Sequence, residues 1–126
     1  MSKQNLLLGR SGEELAAALL KENGYKILFR NYKTKIGEID IIAQDNDTIS
    51  FIEVKTRHSD RFGLPQEAVS YPKQRQISKA AIVYLKDNNL LNKKARFDVV
   101  SVVISDGKPK MDLIKNAFEL EANYVI

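Results

Sequence analysis

Two short apolar stretches separated by a polar turn constrain the fold more than any other part of this sequence. Residues 38–43 (E-I-D-I-I-A) and 49–55 (I-S-F-I-E-V-K) are rich in β-branched and aromatic side chains, which favour strands. Between them, Asp45, Asn46 and Asp47 can bond to their own backbone and tolerate positive φ. The pattern therefore predicts a β-hairpin.

The spacing of acidic residues in this hairpin predicts that two carboxylates meet. Side chains alternate between the faces of a strand, so pairing Ala43 with Ser50 would set Asp40 opposite Glu53. Paired Cβ atoms lie about 5 Å apart. Two carboxylates at roughly that distance repel by about 3 kcal/mol at an effective dielectric near 20. A sheet that holds them together needs a compensating cation, and Lys55 is one candidate.

Two interpretations of these charges stay open at this point. In the first, Asp40, Glu53 and the Val54 carbonyl bind a divalent ion together with water, an oxygen-rich site that suits Mg²⁺ or Mn²⁺. In the second, the acids and Lys55 form a solvated salt-bridge cluster on an exposed face. E-x-K alone is common by chance. An acid inside an apolar strand, followed by a short turn and then apolar-E-apolar-K, favours the catalytic interpretation.

Several further motifs, together with the hairpin, resemble one protein family. The chain resembles the YraN family, a bacterial branch of the PD-(D/E)xK nuclease superfamily that is similar to archaeal Holliday-junction resolvases. The matching segments are G-x-x-G-E at 9–13, G-Y at 24–25, the hairpin, F-G-x-P at 62–65, A-V at 68–69, Lys73 and R-F-D-V at 96–99. The resemblance implies a restriction-endonuclease-like α/β fold and a Mg²⁺- or Mn²⁺-dependent endonuclease acting on DNA, with junction DNA among its candidate substrates. It also suggests a homodimer.

The resemblance assigns roles to individual residues. Glu13 would join Asp40, Glu53 and the Val54 carbonyl around the metal, and Lys55 would act beside them as a catalytic residue. From the sequence alone, Glu13 is equally an acid in the first turn of a helix, favoured there by the helix dipole. The match to G-x-x-G-E favours the metal role.

Composition narrows the class of partner. The chain has 126 residues, which we interpret as one domain over 1–126, and it carries a net charge of +4. It has no cysteine and one histidine, which excludes disulfides and Cys- or His-based zinc sites. The basic balance favours an anionic partner, nucleic acid first. No apolar run reaches the length of a membrane span or a signal peptide, so we expect a cytoplasmic protein that does not enter membranes.

Basic residues cluster on both sides of the hairpin and are the candidate contacts to nucleic acid. A charge run is usually a solvated face, but one that flanks paired carboxylates suggests a track for a polyanion. An ordinary surface histidine is the alternative interpretation of His58. Gln66 is a candidate only because related nucleases have a polar residue near this position. The candidates are Lys33, Lys35, Arg57, His58, Arg61, Gln66, Lys73 and Arg75.

Local signals predict the remaining elements. We expect a first helix that is capped by Ser11 and stopped at Gly24, although the resemblance to the YraN family would let this helix begin earlier. A strand over 25–32 should follow, in which Tyr25, Ile27 and Phe29 share a face. Ser70 should cap a second helix. Strands over 97–104 and 110–118 follow, which gives the order α-β-β-β-α-β-β and a mixed sheet with a helix on each face.

Two rival functions remain compatible with the sequence. A non-catalytic nucleic-acid-binding protein of the same fold would explain the basic track but not the opposed carboxylates. A structural protein with a plain salt-bridge network in its hairpin would bind neither metal nor DNA strongly. Asp98 is interpreted as a hydrogen-bonded structural acid, with an outer-shell role near the metal as the alternative.

Overall fold

Five strands form one mixed sheet in which the third strand is central. The computed structural model describes the backbone of residues 3–58 and 69–119, and side chains from Gly12 onward. The elements are α1 (Lys3–Glu22), β1 (Lys26–Lys33), β2 (Glu38–Asp45), β3 (Thr48–Arg57), α2 (Tyr71–Asp87), β4 (Lys94–Ser105) and β5 (Lys108–Phe118). The predicted order and the α/β class are confirmed.

The strands lie side by side in chain order, from β1 at one edge to β5 at the other. Neighbours pair antiparallel except for β3 and β4, which are parallel and are joined through α2. A parallel pair needs such a crossover because its strands run in the same direction. The hairpin of β2 and β3 therefore lies in the middle of the sheet.

A helix covers each face of the sheet, as predicted, and each buries its own apolar cluster. On one face, Ala16, Ala17 and Leu20 of α1 pack with residues of β2, β3 and β4. On the other face, Ile77 and Tyr84 of α2 belong to a cluster that includes buried side chains of the same three strands. Burying both faces of these strands explains why their sequences read as nearly continuous apolar runs.

The predicted helix ends are right except for the start of α1. Ser70 caps α2, its side chain accepting the Lys73 N–H at 3.4 Å, and Gly24 follows α1 with φ 85°. The N-cap prediction at Ser11 is wrong, because α1 begins at Lys3 and continues through this residue. The residues that match a capping box lie inside the helix, because the helix continues back through the apolar residues that precede them. Among the described residues, no helix is long and apolar enough to cross a membrane.

The predicted alternation along the first strand fails at two irregularities. The register between β1 and β2 shifts between Ile27 and Phe29, which separates Phe29 from the face that Ile27 occupies. Further along, Asn31 has φ 55°, in the left-handed region, which asparagine tolerates better than most residues. Arg30 consequently contacts Glu14 of α1, whereas Tyr32 packs on the opposite layer.

A buried polar network ties β4 to its neighbours at the end of the sheet near the hairpin turn. Asp98 is fully buried and accepts hydrogen bonds from the Tyr25 hydroxyl, the Ser50 hydroxyl, the Arg96 guanidinium and the Asn116 N–H. A buried carboxylate with this many donors is well compensated. Asp98 is thus the hydrogen-bonded structural acid that the sequence favoured.

Candidate metal and nucleic-acid site

The register of the hairpin is the one predicted, but the strands separate before they reach the acids. Ala43 pairs with Ser50, and the ladder between β2 and β3 continues as far as Ile41 and Ile52. It ends one pair short of the position where the two acids were expected to face each other. Meanwhile β3 stays paired with β4 to its last residue, Arg57. The opening therefore lies between β2 and β3.

Asp40 closes this opening with its side chain. Its Oδ2 accepts the Val54 N–H at 2.8 Å, so a carboxylate replaces the carbonyl that a regular ladder would supply. The residues on either side of Asp40 do not share a face of β2, as residues two apart in a regular strand would. Ile39 packs against α2, whereas Ile41 packs against α1. The bond fixes the Asp40 carboxylate beside the backbone of β3.

Glu53 is a buried acid with poor compensation. The residue is 6% exposed, and its Oε2 has no hydrogen-bond partner among the described residues. Its other oxygen lies 3.9 Å from the Lys55 ammonium, a long ion pair. Burial, and then the charge of Asp40, raise the pKa of Glu53 to about 7.

Asp40 is also held in a state that resists ionisation. Burial raises its pKa above the usual range, and the nearby charge of Glu13 adds to the effect. The Val54 N–H and the Lys73 ammonium act in the opposite direction. Two acids that both resist ionisation in one place are a common feature of functional sites, although buried structural pairs produce the same effect.

One cleft of about 330 Å³ brings the predicted catalytic residues together. Its walls come from α1, β2, β3 and α2. The predicted residues that line it are Glu13, Asp40, Glu53, Val54, Lys55 and Lys73. Glu53 is almost fully buried, so the predicted alternative of a solvated salt-bridge cluster on an exposed face does not describe this arrangement.

A close approach of α1 to β3 sets the position of Glu13. Gly12 precedes it, and a Cβ at Gly12 would collide with the Thr56 hydroxyl and lie 3.2 Å from the Thr56 Cβ. Glycine at this position therefore lets the helix lie directly against the strand. The second glycine of the G-x-x-G-E motif thus has a packing reason, and the acid after it lines the cleft.

The donor atoms in the cleft fit a hard divalent cation. Mg²⁺ is commonly held by one or two protein carboxylates while it keeps several waters, which matches Asp40 and Glu53. The unpartnered Oε2 of Glu53 is an oxygen that a cation would satisfy. No group of three or more His, Cys, Asp or Glu side chains in the described part of the chain is arranged to hold a metal ion.

Comparison with known proteins identifies the family. The sequence model of uncharacterised protein family UPF0102 matches residues 12–102. The chain belongs to this family. A UPF0102 protein of Syntrophus aciditrophicus is 54% identical over 117 residues, covering 93% of this chain and 92% of the relative. One from Geobacter metallireducens is 52% identical over 120 residues, covering 95% and 98%.

A solved structure also aligns with this UPF0102 protein. It is the crystal structure of SSO0001, which matches with a TM-score of 0.43 and 22% sequence identity. The match covers 98% of this chain but 57% of the other.

A second, basic cleft adjoins the carboxylates in this UPF0102 protein. It has a volume of about 380 Å³ and lies between the loop from β1 to β2 and the first turns of α2. Lys33, Lys35 and Lys73 line it, and Lys73 also lines the carboxylate cleft. Within the described ranges, none of these three lysines forms an ion pair. The two clefts therefore meet at Lys73.

The other predicted nucleic-acid contacts fall elsewhere. Arg57 and His58 lie at the end of β3, where the first described range stops. Arg75 lies on α2, with its guanidinium carbon 6.0 Å from the centre of the Tyr71 ring. Arg61 and Gln66 lie outside the described residues.

Sequence reasoning missed one acid of the UPF0102 site and understated one lysine. Glu38 lines both clefts, and its charge raises the pKa of Asp40 and of Glu53. Its position two residues before Asp40 in a predicted strand was the available signal. Lys73 was predicted only as a phosphate contact, yet its charge lowers the pKa of both buried acids. No local pattern links α2 to the hairpin at that position.

Proposed function

We propose that this protein is a metal-dependent endonuclease that hydrolyses phosphodiester bonds in DNA. The observation that carries the proposal is the pairing of half-buried Asp40 with buried Glu53, whose Oε2 has no hydrogen-bond partner among the described residues. Placing these charges together costs stability, and a divalent cation removes that cost. The adjoining basic cleft supplies the complementary charge for a polyanion.

Asp40 and Glu53 would hold Mg²⁺ or Mn²⁺, with the Val54 carbonyl as a further donor. When bound, such an ion would polarise the phosphate and lower the pKa of a water molecule. Lys55, whose ammonium lies 3.9 Å from Glu53, would orient the attacking water and offset the charge that develops on the phosphate. Glu13 would accept hydrogen bonds from water in the cleft and keep it aligned.

Lys73 would connect the two clefts during binding. Its ammonium influences both buried acids and also lines the basic cleft. When a metal ion occupies the carboxylates, the Lys73 ammonium would pair with a phosphate near the acids instead. Lys33 and Lys35 would then hold the neighbouring part of the same strand.

A nicking assay on junction, flap, single-stranded and duplex DNA with Mg²⁺ or Mn²⁺ tests the proposal. We expect Lys55→Ala to lower the cleavage rate by about 100- to 1,000-fold, the range for loss of one stabilising donor, while DNA binding persists. Lys110→Ala, an exposed lysine on β5, is the matched control and should cleave normally. Asp40→Asn keeps an oxygen for the Val54 N–H and serves as the blank. Full cleavage by Lys55→Ala would refute its role.

A nucleic-acid-binding protein without catalysis is the alternative, and the three lysines without ion pairs favour it as much as a nuclease. It predicts DNA binding that needs no divalent ion. Absence of nicking with every metal, combined with binding that chelators do not change, would establish it instead.

A further inference from the structure

Ile36 occupies an unusual position for a large apolar residue. It is 47% exposed and lies in the short loop between β1 and β2, where polar residues and glycine are usual. Three other large apolar residues are comparably exposed, namely Phe29, Tyr71 and Leu91. Of these four, Ile36 alone lines the basic cleft.

The loop that carries Ile36 is held in one conformation. The Thr34 hydroxyl accepts the N–H groups of Ile36 and Gly37, each at 3.1 Å, and donates to the Gly37 carbonyl at 2.9 Å. The Thr34 N–H donates to the same carbonyl at 2.9 Å. Gly37 lies against α2, where an added Cβ would be 3.1 Å from the Gln76 Cβ. Ile36 is thus displayed on a rigid support, which lowers the entropic cost of using it in binding.

The residues around Ile36 are suited to a nucleic-acid strand. Lys35 precedes it directly, and Lys33 and Lys73 line the same cleft. Lysine ammonium groups are suited to contact phosphate oxygens, and such contacts do not read the bases. The isoleucine between them offers an apolar surface, which does not bind phosphate. Its possible partners in nucleic acid are sugar edges and base faces.

Base faces become available only where stacking is interrupted. In a continuous duplex they are covered by neighbouring bases, whereas apolar side chains such as isoleucine can insert at unstacked steps. Exposed bases are also where apolar and aromatic contacts to single strands add affinity. Resting on the nuclease proposed above, we propose that Ile36 packs on an unstacked base next to the cleavage site, and that this contact selects DNA with interrupted stacking over continuous duplex.

The test measures binding without cleavage. In the Lys55→Ala background, the affinities for a four-way junction, a duplex with one unpaired base and a continuous duplex of equal length are compared. We expect Ile36→Ser to weaken binding of the first two DNAs about tenfold and to change binding of the continuous duplex by less than about twofold. Leu91→Ser, at a site 57% exposed on another surface, should change none of them.

A fluorescent base analogue at the unpaired position gives a second readout. Binding should change its fluorescence in the Lys55→Ala protein but much less when Ile36→Ser is added. Ile36→Thr, which keeps the branched shape, replaces Ile36→Ser if thermal unfolding shows that the serine variant does not fold. Equal losses on all three DNAs, or no loss on any, would overturn the inference.

Failure of the inference is distinguishable from failure of the proposed function. If the wild-type protein cleaves DNA but Ile36→Ser keeps the same preference among the DNAs, the inference about Ile36 falls alone. If Ile36→Ser loses the preference in binding while no metal supports cleavage, the nuclease proposal falls and the role of Ile36 as a binding residue stands.

Discussion

Two buried acids in this protein have opposite energetic roles. Asp98 accepts hydrogen bonds from hydroxyls, a guanidinium and a backbone N–H, so its charge is compensated inside the protein. Glu53 is nearly as buried but has a long ion pair with Lys55 and an oxygen that no described residue contacts through a hydrogen bond. The first acid stabilises the fold. The second is held at a cost to the stability of the fold.

Replacing Glu53 should therefore stabilise the metal-free protein. The pKa of Glu53 is raised from 4.5 to about 7, so the folded state favours the protonated acid. Its contribution to stability is present below pH 4.5 and is lost as the pH rises through about 7. Over that interval the wild-type protein should lose up to about 3 kcal/mol relative to Glu53→Gln. Urea unfolding in the presence of a chelator, repeated across this pH interval, measures the difference.

Asp98→Asn is the matched control for this prediction. Asp98→Asn removes one half of a buried ion pair and leaves Arg96 paired with Asp45 alone in the described part of the chain, a change that costs about 3–5 kcal/mol. The two substitutions should thus change the free energy of unfolding at neutral pH in opposite directions. A loss of stability in Glu53→Gln as large as that in Asp98→Asn would contradict the assignment of Glu53 as an uncompensated acid.

At the scale of elements, the cleft depends on how α1 approaches β3. Gly12 is the residue that allows the contact, and Thr56 is the residue that it meets. Glu13 follows immediately, so a shift of the helix would move this acid relative to the hairpin. Packing between α1 and β3 and the geometry of the cleft are consequently linked.

Gly12→Ala tests this link. The added methyl group must displace either α1 or the Thr56 side chain, and we expect a loss of stability of about 1–3 kcal/mol together with slower cleavage. Adding Thr56→Ala removes the hydroxyl that the methyl group would meet, so the double variant should recover part of both losses. Thermal unfolding and the nicking rate, measured on Gly12→Ala, on Thr56→Ala and on the double variant, check the prediction. Independent, additive effects would contradict the contact.

Local chemistry explains which elements could be predicted from sequence. The turn at Asn46, the cap at Ser70 and the stop at Gly24 each depend on one residue and its neighbours, and all three are confirmed. The register that pairs Ala43 with Ser50 was considered because it would set Asp40 opposite Glu53, and it is the observed one. The early start of α1 and the reversal at Asn31 could not be predicted, because propagation of the helix and packing of β1 against two layers override local signals.

The candidate site was predictable where its residues are close in sequence. Asp40, Glu53, Val54 and Lys55 lie on one hairpin, so a strand pattern was enough to group them. The separation of β2 from β3, and the capture of the Val54 N–H by Asp40, follow from tertiary packing and have no local signature. The same holds for the basic cleft, whose walls come from a loop and a distant helix.

At the scale of the whole molecule, three lysines are concentrated in one cleft. The net charge of the chain is only +4, and most of its basic residues are balanced by acids. Lys33, Lys35 and Lys73 share a single cleft and form no ion pair in the described part of the chain. A bound polyanion would relieve the mutual repulsion among these ammonium groups.

The salt dependence of DNA binding should report this concentration of charge. Replacing Lys33 and Lys35 together by alanine should reduce the slope of log affinity against log salt concentration by about 2, because two phosphate contacts are lost. Replacing Lys108 and Lys110 on β5 is the control with the same change in net charge. If both double variants reduce the slope equally, general attraction explains the binding and the cleft has no special role. Fluorescence anisotropy over a salt series provides the slopes.

The hydrogen bond that Asp40 accepts from the Val54 N–H makes this acid part of the hydrogen bonding of the sheet. If the proposed nuclease activity holds, a descendant of this chain that no longer cut DNA would be free to replace Glu53 or Lys55, whose side chains bond to no backbone group in the described residues. It would still need an oxygen at position 40 to accept the hydrogen bond from the Val54 N–H of the central strand. Inactive members of the lineage should therefore lose the acid of the third strand first and retain aspartate or asparagine in the second.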